Sequence, residues 1–179
     1  MTTTYVALLY SIVLTRERRV VMADLKAVAA GLGYGDPRTV LATGNLVFEA
    51  PAQAIAAIED HLEAAFAKAF GKPVDIIVRS AADWRALLKG NPFGDADASR
   101  TLVRVMRRPV TAEAMAGLQA RVTDETLQAV GGDLWVHFPH QPSSSRLLSL
   151  LTAKRLGTGT LRNLNTVRKI ADILDRESS

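Results

Sequence analysis

The sequence predicts an α+β fold made of two ferredoxin-like (βαββαβ-type) subdomains in tandem, the second ending in an extra helix. Three observations lead there. Apolar runs of strand length alternate with stretches whose apolar residues recur at helical spacing. Two glycine-containing turns, 43–45 and 131–133, each join a pair of β-prone runs, as hairpins do. The order strand, helix, strand, strand, helix occurs in both halves, which is the grammar of the split βαβ unit. A chain of 179 residues that is 48% apolar has material for one large domain or two small ones sharing a core.

Residues 5–14 form an apolar run interrupted by Ser11, and residues 4–14 read as a buried strand. The run is too short to span a bilayer, no positive residue precedes it and no small-residue cleavage site follows it, so it is neither anchor nor signal segment. Met22, Leu25, Val28, Ala29 and Leu32 place a helix over 22–33, stopped by Gly33 and Gly35. The runs 39–41 and 46–48 flank Thr43, Gly44 and Asn45 as a hairpin. Pro51 is expected to open a long helix whose stripe is Ile55, Ile58, Leu62, Ala65, Phe66 and Ala69, ended by Gly71 and Pro73. A strand over 74–78 and a short helix over 81–89 complete the first subdomain, 1–90. Residues 90–99, rich in Gly, Asn, Pro, Asp and Ser, read as the connecting loop.

In the second subdomain, 91–179, strands are expected over 101–106, 125–130 and 134–138, and a helix over 111–121. Pro142 and the serines Ser143, Ser144 and Ser145 read as the cap of a helix running through Lys154. Gly157 and Gly159 break it. The segment 158–166 reads as a polar loop, and a last helix spans about 166–176 on Val167, Ile170, Ala171 and Leu174. The second half thus ends in a helix where a closing strand would have matched the first.

Several motifs along the chain resemble the domain of unknown function family 1697. They are Tyr5-Val6-Ala7-Leu8-Leu9, Met22-Ala23-Asp24-Leu25 with Leu32-Gly33-Tyr34, and Arg38-Thr39 leading to Thr43-Gly44-Asn45-Leu46-Val47-Phe48. Asn91-Pro92-Phe93 and the stretch from Thr160 to Val167, Thr-Leu-Arg-Asn-Leu-Asn-Thr-Val, continue the match. The resemblance implies a compact two-subdomain α+β protein and no established activity. It also exposes a departure: where such sequences carry Arg-Gly-Ile-Asn-Val-Gly-Gly after the first strand, this chain has Tyr10-Ser11-Ile12-Val13-Leu14-Thr15-Arg16. A glycine-rich turn after a buried strand lets backbone N–H groups approach an anion, and that option is lost here.

The net charge of +4 is unevenly placed, −1 over 1–97 and +5 over 98–179. No acidic residue lies in 98–112 or in 134–171, whereas Arg100, Arg104, Arg107, Arg108, Arg146, Lys154, Arg155, Arg162, Arg168 and Lys169 do. Such asymmetry attracts polyanions. Thr160, Arg162, Asn163, Asn165 and Thr166 form the densest polar cluster. There, Asn165 is placed to cap the last helix, and Arg162 is a fork suited to phosphate or carboxylate. With Thr43, Gly44 and Asn45 they make the candidate ligand-binding set, for an anionic, phosphate-bearing small molecule held between the subdomains.

The absence of cysteine excludes disulfides and thiolate ligands and accords with a cytoplasmic setting. The histidines His61, His137 and His140 do not assemble a metal site, and no cofactor motif is present. No nucleophile elbow is present either, so catalytic residues are not legible and a non-catalytic role is favoured. The rivals are a nucleic-acid-binding module using the basic windows, a small hydrolase or transferase whose carboxylates come from separate segments, and self-association through an open sheet edge.

Overall fold

The computed structural model describes residues 1–10, 16–41 and 43–177. Among them are two four-stranded antiparallel sheets and six α-helices, so the chain is an α+β protein. The packing divides it into two compact units, Met1–Arg85 with Lys169–Ser179, and Ala86–Arg168. The sequence placed the half-boundary at 90/91. The packing places it at 85/86 and returns the chain's last residues to the first unit.

The first unit runs β1 (Thr2–Leu9), α1 (Arg16–Gly31), β2 (Gly35–Val40), β3 (Asn45–Pro51), α2 (Ile55–Phe70), β4 (Ile76–Ser80) and the start of α3 (Ala81–Lys89). Its sheet has the order β2-β3-β1-β4. The run Tyr5 to Leu9 is buried on both faces, as a central strand requires. Tyr5, Ala7 and Leu9 join Leu25, Ala29, Phe48, Ile58 and Leu62 in the core beneath α1 and α2. The strand expected over 4–14 starts and ends earlier, and its part at 11–14 lies outside the described residues, as does most of the altered loop 10–16.

Two boundaries move for physical reasons. Pro51 closes β3 opposite Thr2 instead of opening α2, because its fixed φ suits a strand end as well as a helix start. The helix begins four residues later, and Gly71 ends it in the left-handed conformation, φ 68°, donating its N–H to the Ala67 carbonyl at 2.8 Å. At the end of β4, Ser80 accepts the Asp83 N–H at 3.1 Å and so starts α3.

The second unit takes α3 onward and runs β5 (Thr101–Met106), α4 (Ala112–Gln119), β6 (Thr126–Val130), β7 (Asp133–His137), α5 (Ala153–Leu156), β8 (Gly159–Asn163) and the first turns of α6 (Leu164–Glu177). Its sheet has the order β6-β7-β5-β8, which repeats the first sheet's order element for element. Met106, Leu134, Val136 and Phe138 make its core with Leu118 of α4 and with Leu147, Leu151 and Leu156.

Two expectations are corrected here. The helix expected to run through Lys154 is instead two single 3₁₀ turns, Pro142–Ser144 and Leu148–Leu150, followed by the short α5. The Arg104 side chain enters this stretch and donates to the carbonyls of Leu151 (3.2 Å) and Gly157 (3.0 Å), and the Ser145 hydroxyl accepts the Leu147 N–H. Side chains thereby occupy groups that a continuous helix would use. The expected polar loop 158–166 is β8 and the first turn of α6. A closing strand is present, and the last helix follows it.

Candidate functional site at the β8–α6 junction

β8 pairs antiparallel with β5, Val103 opposite Arg162 and Val105 opposite Thr160. Directly paired residues share a sheet face. Arg162 and Thr160 therefore lie on the face of Val103, Val105 and Trp135, while Arg104, Met106 and Leu134 lie on the core face beneath α4. Arg162 is only 8% exposed. Its Nη1 donates to Thr160 Oγ1 and to the Leu161 carbonyl, both at 2.8 Å.

The cap of α6 is Asn163, not Asn165: its Oδ1 accepts the Thr166 N–H at 2.9 Å. Asn165 is exposed and Thr166 buried. Five of the candidate residues, Thr160, Arg162, Asn163, Asn165 and Thr166, thus stand together where a strand runs into the positive end of a helix dipole. Thr43, Gly44 and Asn45 belong to the other unit, in the β2–β3 turn. Gly44 has φ 78°, and its carbonyl accepts the Leu9 N–H at 2.9 Å. Asn45 is fully buried, its amide donating to the Val40 carbonyl at 2.9 Å and to Thr43 Oγ1 at 2.7 Å. Turn closure accounts for these contacts.

Three groups escaped the sequence reading. Arg104, 1% exposed, appeared there only as one of several basic residues. On a strand, an isolated arginine between valines is the signal for such a buried clamp. Glu125 precedes β6 and lines a cavity of about 320 Å³ together with Asp124, Phe138, His140, Ser145 and Arg146. Burial alone would push its carboxyl up. The Ser145 hydroxyl and the backbone N–H groups of Thr123, Glu125 and Asp124 outweigh that and hold it down at about 2.

His137 is the third: its Nδ1 lies 3.1 Å from Thr101 Oγ1, which in turn donates to the Asp97 carbonyl at 2.9 Å. Among the described residues no three His, Cys, Asp or Glu side chains converge as metal ligands, and no helix is long and apolar enough to cross a membrane.

Two repeated antiparallel sheets, each backed by helices, with a buried arginine at a strand–helix junction define an α+β protein of a fold that occurs elsewhere. A bacterial protein of solved structure, "conserved bacterial protein SP0830 from Streptococcus pneumoniae", superposes with a TM-score of 0.76 over 97% of this chain and 99% of that one at 23% identity. At that identity the likeness is one of fold. Residues 1–135 match the family described as "Protein of unknown function (DUF1697)", and the chain belongs to it. No curated protein matches the chain.

Proposed function

We propose that the chain is a cytoplasmic, non-catalytic binding protein. In this reading it is built from two ferredoxin-like halves and takes a small phosphate-bearing anion at the β8–α6 junction. The observation that carries the reading is the nearly buried Arg162 guanidinium, on the strand that leads directly into α6. A planar guanidinium offers paired donors to a phosphate. The exposed Asn165 amide adds a donor, and the positive end of the α6 dipole favours an anion.

The catalytic alternative needs a carboxyl poised near neutrality. Glu125, in the cavity beside Ser145, is displaced the opposite way. The nucleic-acid alternative needs exposed aromatic faces for stacking. Trp135 and Phe138 are both buried.

The test is thermal melting with inorganic phosphate and with a panel of phosphorylated sugars and nucleotides. A ligand that binds the folded state raises Tm by mass action, equivalent to about 2.7 kcal/mol at a hundredfold excess over Kd. The rise should disappear in Arg162→Lys and shrink in Asn165→Ala. A panel with no effect, or a rise that survives Arg162→Lys, rejects the proposal. The readout is the increment with ligand, because loss of the contacts to Thr160 and Leu161 lowers the baseline in any Arg162 variant.

A further inference from the structure

Each four-stranded sheet has two edges, and an edge strand presents N–H and C=O groups that another strand can pair with. Three of the four edges here carry protection. β2 contains Pro37, which has no N–H, a register shift between Gly35 and Arg38, and an Asp36–Arg38 ion pair at 3.2 Å. On β4 the N–H groups of Ile76 and Val78 donate to Glu63 Oε1 (2.9 Å) and Glu59 Oε1 (3.0 Å) of α2, and Arg79 donates to the Val78 carbonyl. On β8 the Leu161 carbonyl, directed away from β5, accepts from Arg162.

β6 is different. Its five residues, Thr126, Leu127, Gln128, Ala129 and Val130, include no charge and no proline, and Thr126, Gln128 and Ala129 are exposed. Its register with β7 shows which backbone groups face outward. Gly131 and Gly132, at φ 60° and 89°, form a two-residue turn, so Val130 and Asp133 are the hydrogen-bonded pair beside it. Alternation makes the Gln128–Trp135 and Thr126–His137 pairs hydrogen-bonded too. Leu127 and Ala129 then turn their N–H and C=O groups to the open edge, where no other described residue bonds to them.

We propose that β6 is a dimerisation edge, pairing antiparallel with β6 of a second copy of this chain about a two-fold axis at Gln128. The register follows from the outward groups. Leu127 of one copy faces Ala129 of the other, each pair exchanging two N–H···O=C bonds, and the axis makes four in all. Gln128 meets its twin, and an amide both donates and accepts. Thr126 meets Val130. A strand with no charge opposes no like charges when it pairs with itself, which is why a second copy is the occupant that fits. The result is one continuous sheet of eight strands. At five residues the paired edge is about 17 Å long and buries less than a standard interface, so the dimer is weak and concentration-dependent. The inference is independent of the anion site.

Sedimentation velocity of the full chain from about 5 μM to about 1 mM reads the outcome, the upper end being set by the small interface. The mass should double across this range. Ala129→Pro deletes an N–H that the β6–β7 ladder does not use. It should leave Tm within a few degrees and the protein monomeric throughout. Gln128→Lys places two ammonium groups at the axis and should weaken dimerisation about tenfold or more, partly recovered at high salt. Should Ala129→Pro not fold, the lysine variant decides. A wild type that stays monomeric at the highest concentration, or a dimer indifferent to the substitutions, overturns the proposal.

Discussion

Asn163 and Asn165 show what residue type alone says about a helix start. Both suit an N-cap, and the sequence favoured Asn165 because the periodic apolar residues begin just after it. The cap fell two positions earlier, because Leu164 is buried and helical and draws the start of α6 back against β8. Glu125 was illegible for a different reason: its five donors come from a local turn and from Ser145, twenty residues on, and no spacing rule links them. Its chemistry yields a pH prediction. The folded carboxyl titrates at about 2, below its ordinary 4.5. A depressed folded value means a contribution fully present above about 4.5 and lost as the pH falls through 2. Ser145→Ala removes one charge-assisted donor, and such bonds are worth about 1.5–3 kcal/mol. Urea unfolding at pH 7 should show a loss of that size in the variant. The gap between variant and wild type should close as the pH is lowered from 4.5 toward 2. A gap that stays constant down to pH 2 would mean that the serine acts through packing and not through the ionised carboxylate.

At the scale of elements, α1, α2 and the hairpins were legible because their signals are local: a stripe at i, i+3, i+4 or a glycine turn between apolar runs. β8 was not. Gly159, Thr160, Arg162 and Asn163 carry loop-forming composition. What makes them a strand is distant, the edge of β5 more than fifty residues earlier in the chain. The stretch 142–154 failed in the opposite direction. Leu147, Leu150 and Leu151 have helical spacing, but Arg104, forty-seven residues before Leu151, holds the carbonyl there. β-structure and clamped loops depend on tertiary partners more than helices do. β8 also explains a glycine that looked like a helix breaker. A methyl group on Gly159 would lie 2.8 Å from the Val105 carbonyl and 2.8 Å from Met106 Sδ, so the close approach of β8 to β5 requires its absence. Gly159→Ala should cost about 2 kcal/mol or more, as other overpacked sites do. Gly117→Ala, where an added methyl meets nothing within 4 Å and the backbone is helical, should be neutral or slightly stabilising. Chemical denaturation of the two variants side by side checks the contrast. Equal stability in both would remove the steric reading of the β5–β8 approach.

At the scale of the molecule, the sequence showed a repeated grammar but cut the chain in two at one point. The packing makes the first unit discontinuous. Lys169–Ser179 joins Met1–Arg85, and the Arg85 guanidinium ties the ends of that unit together, donating to Asp175 Oδ1 at 2.8 Å and to the Leu174 carbonyl at 3.0 Å. Ile170, Ala171 and Leu174 are buried, so the C-terminal turns of α6 are core and not tail. A single cut at 90/91 implies that trimming the C-terminus harms the second half of the chain. The discontinuous unit implies the reverse. Deletion of 169–179 removes three buried apolar side chains. At about 1.5–3 kcal/mol for each of the larger two, the loss is a large share of a typical domain's stability. Hydrogen exchange followed by mass spectrometry locates that loss. Protection should fall first in β1, β3 and β4, all of which end well before the deletion in sequence. β5, β6 and β7 should keep theirs longer. If β5–β7 exchanged first while β1–β4 stayed protected, the C-terminal turns would belong with the second half, and the boundary read from sequence would stand.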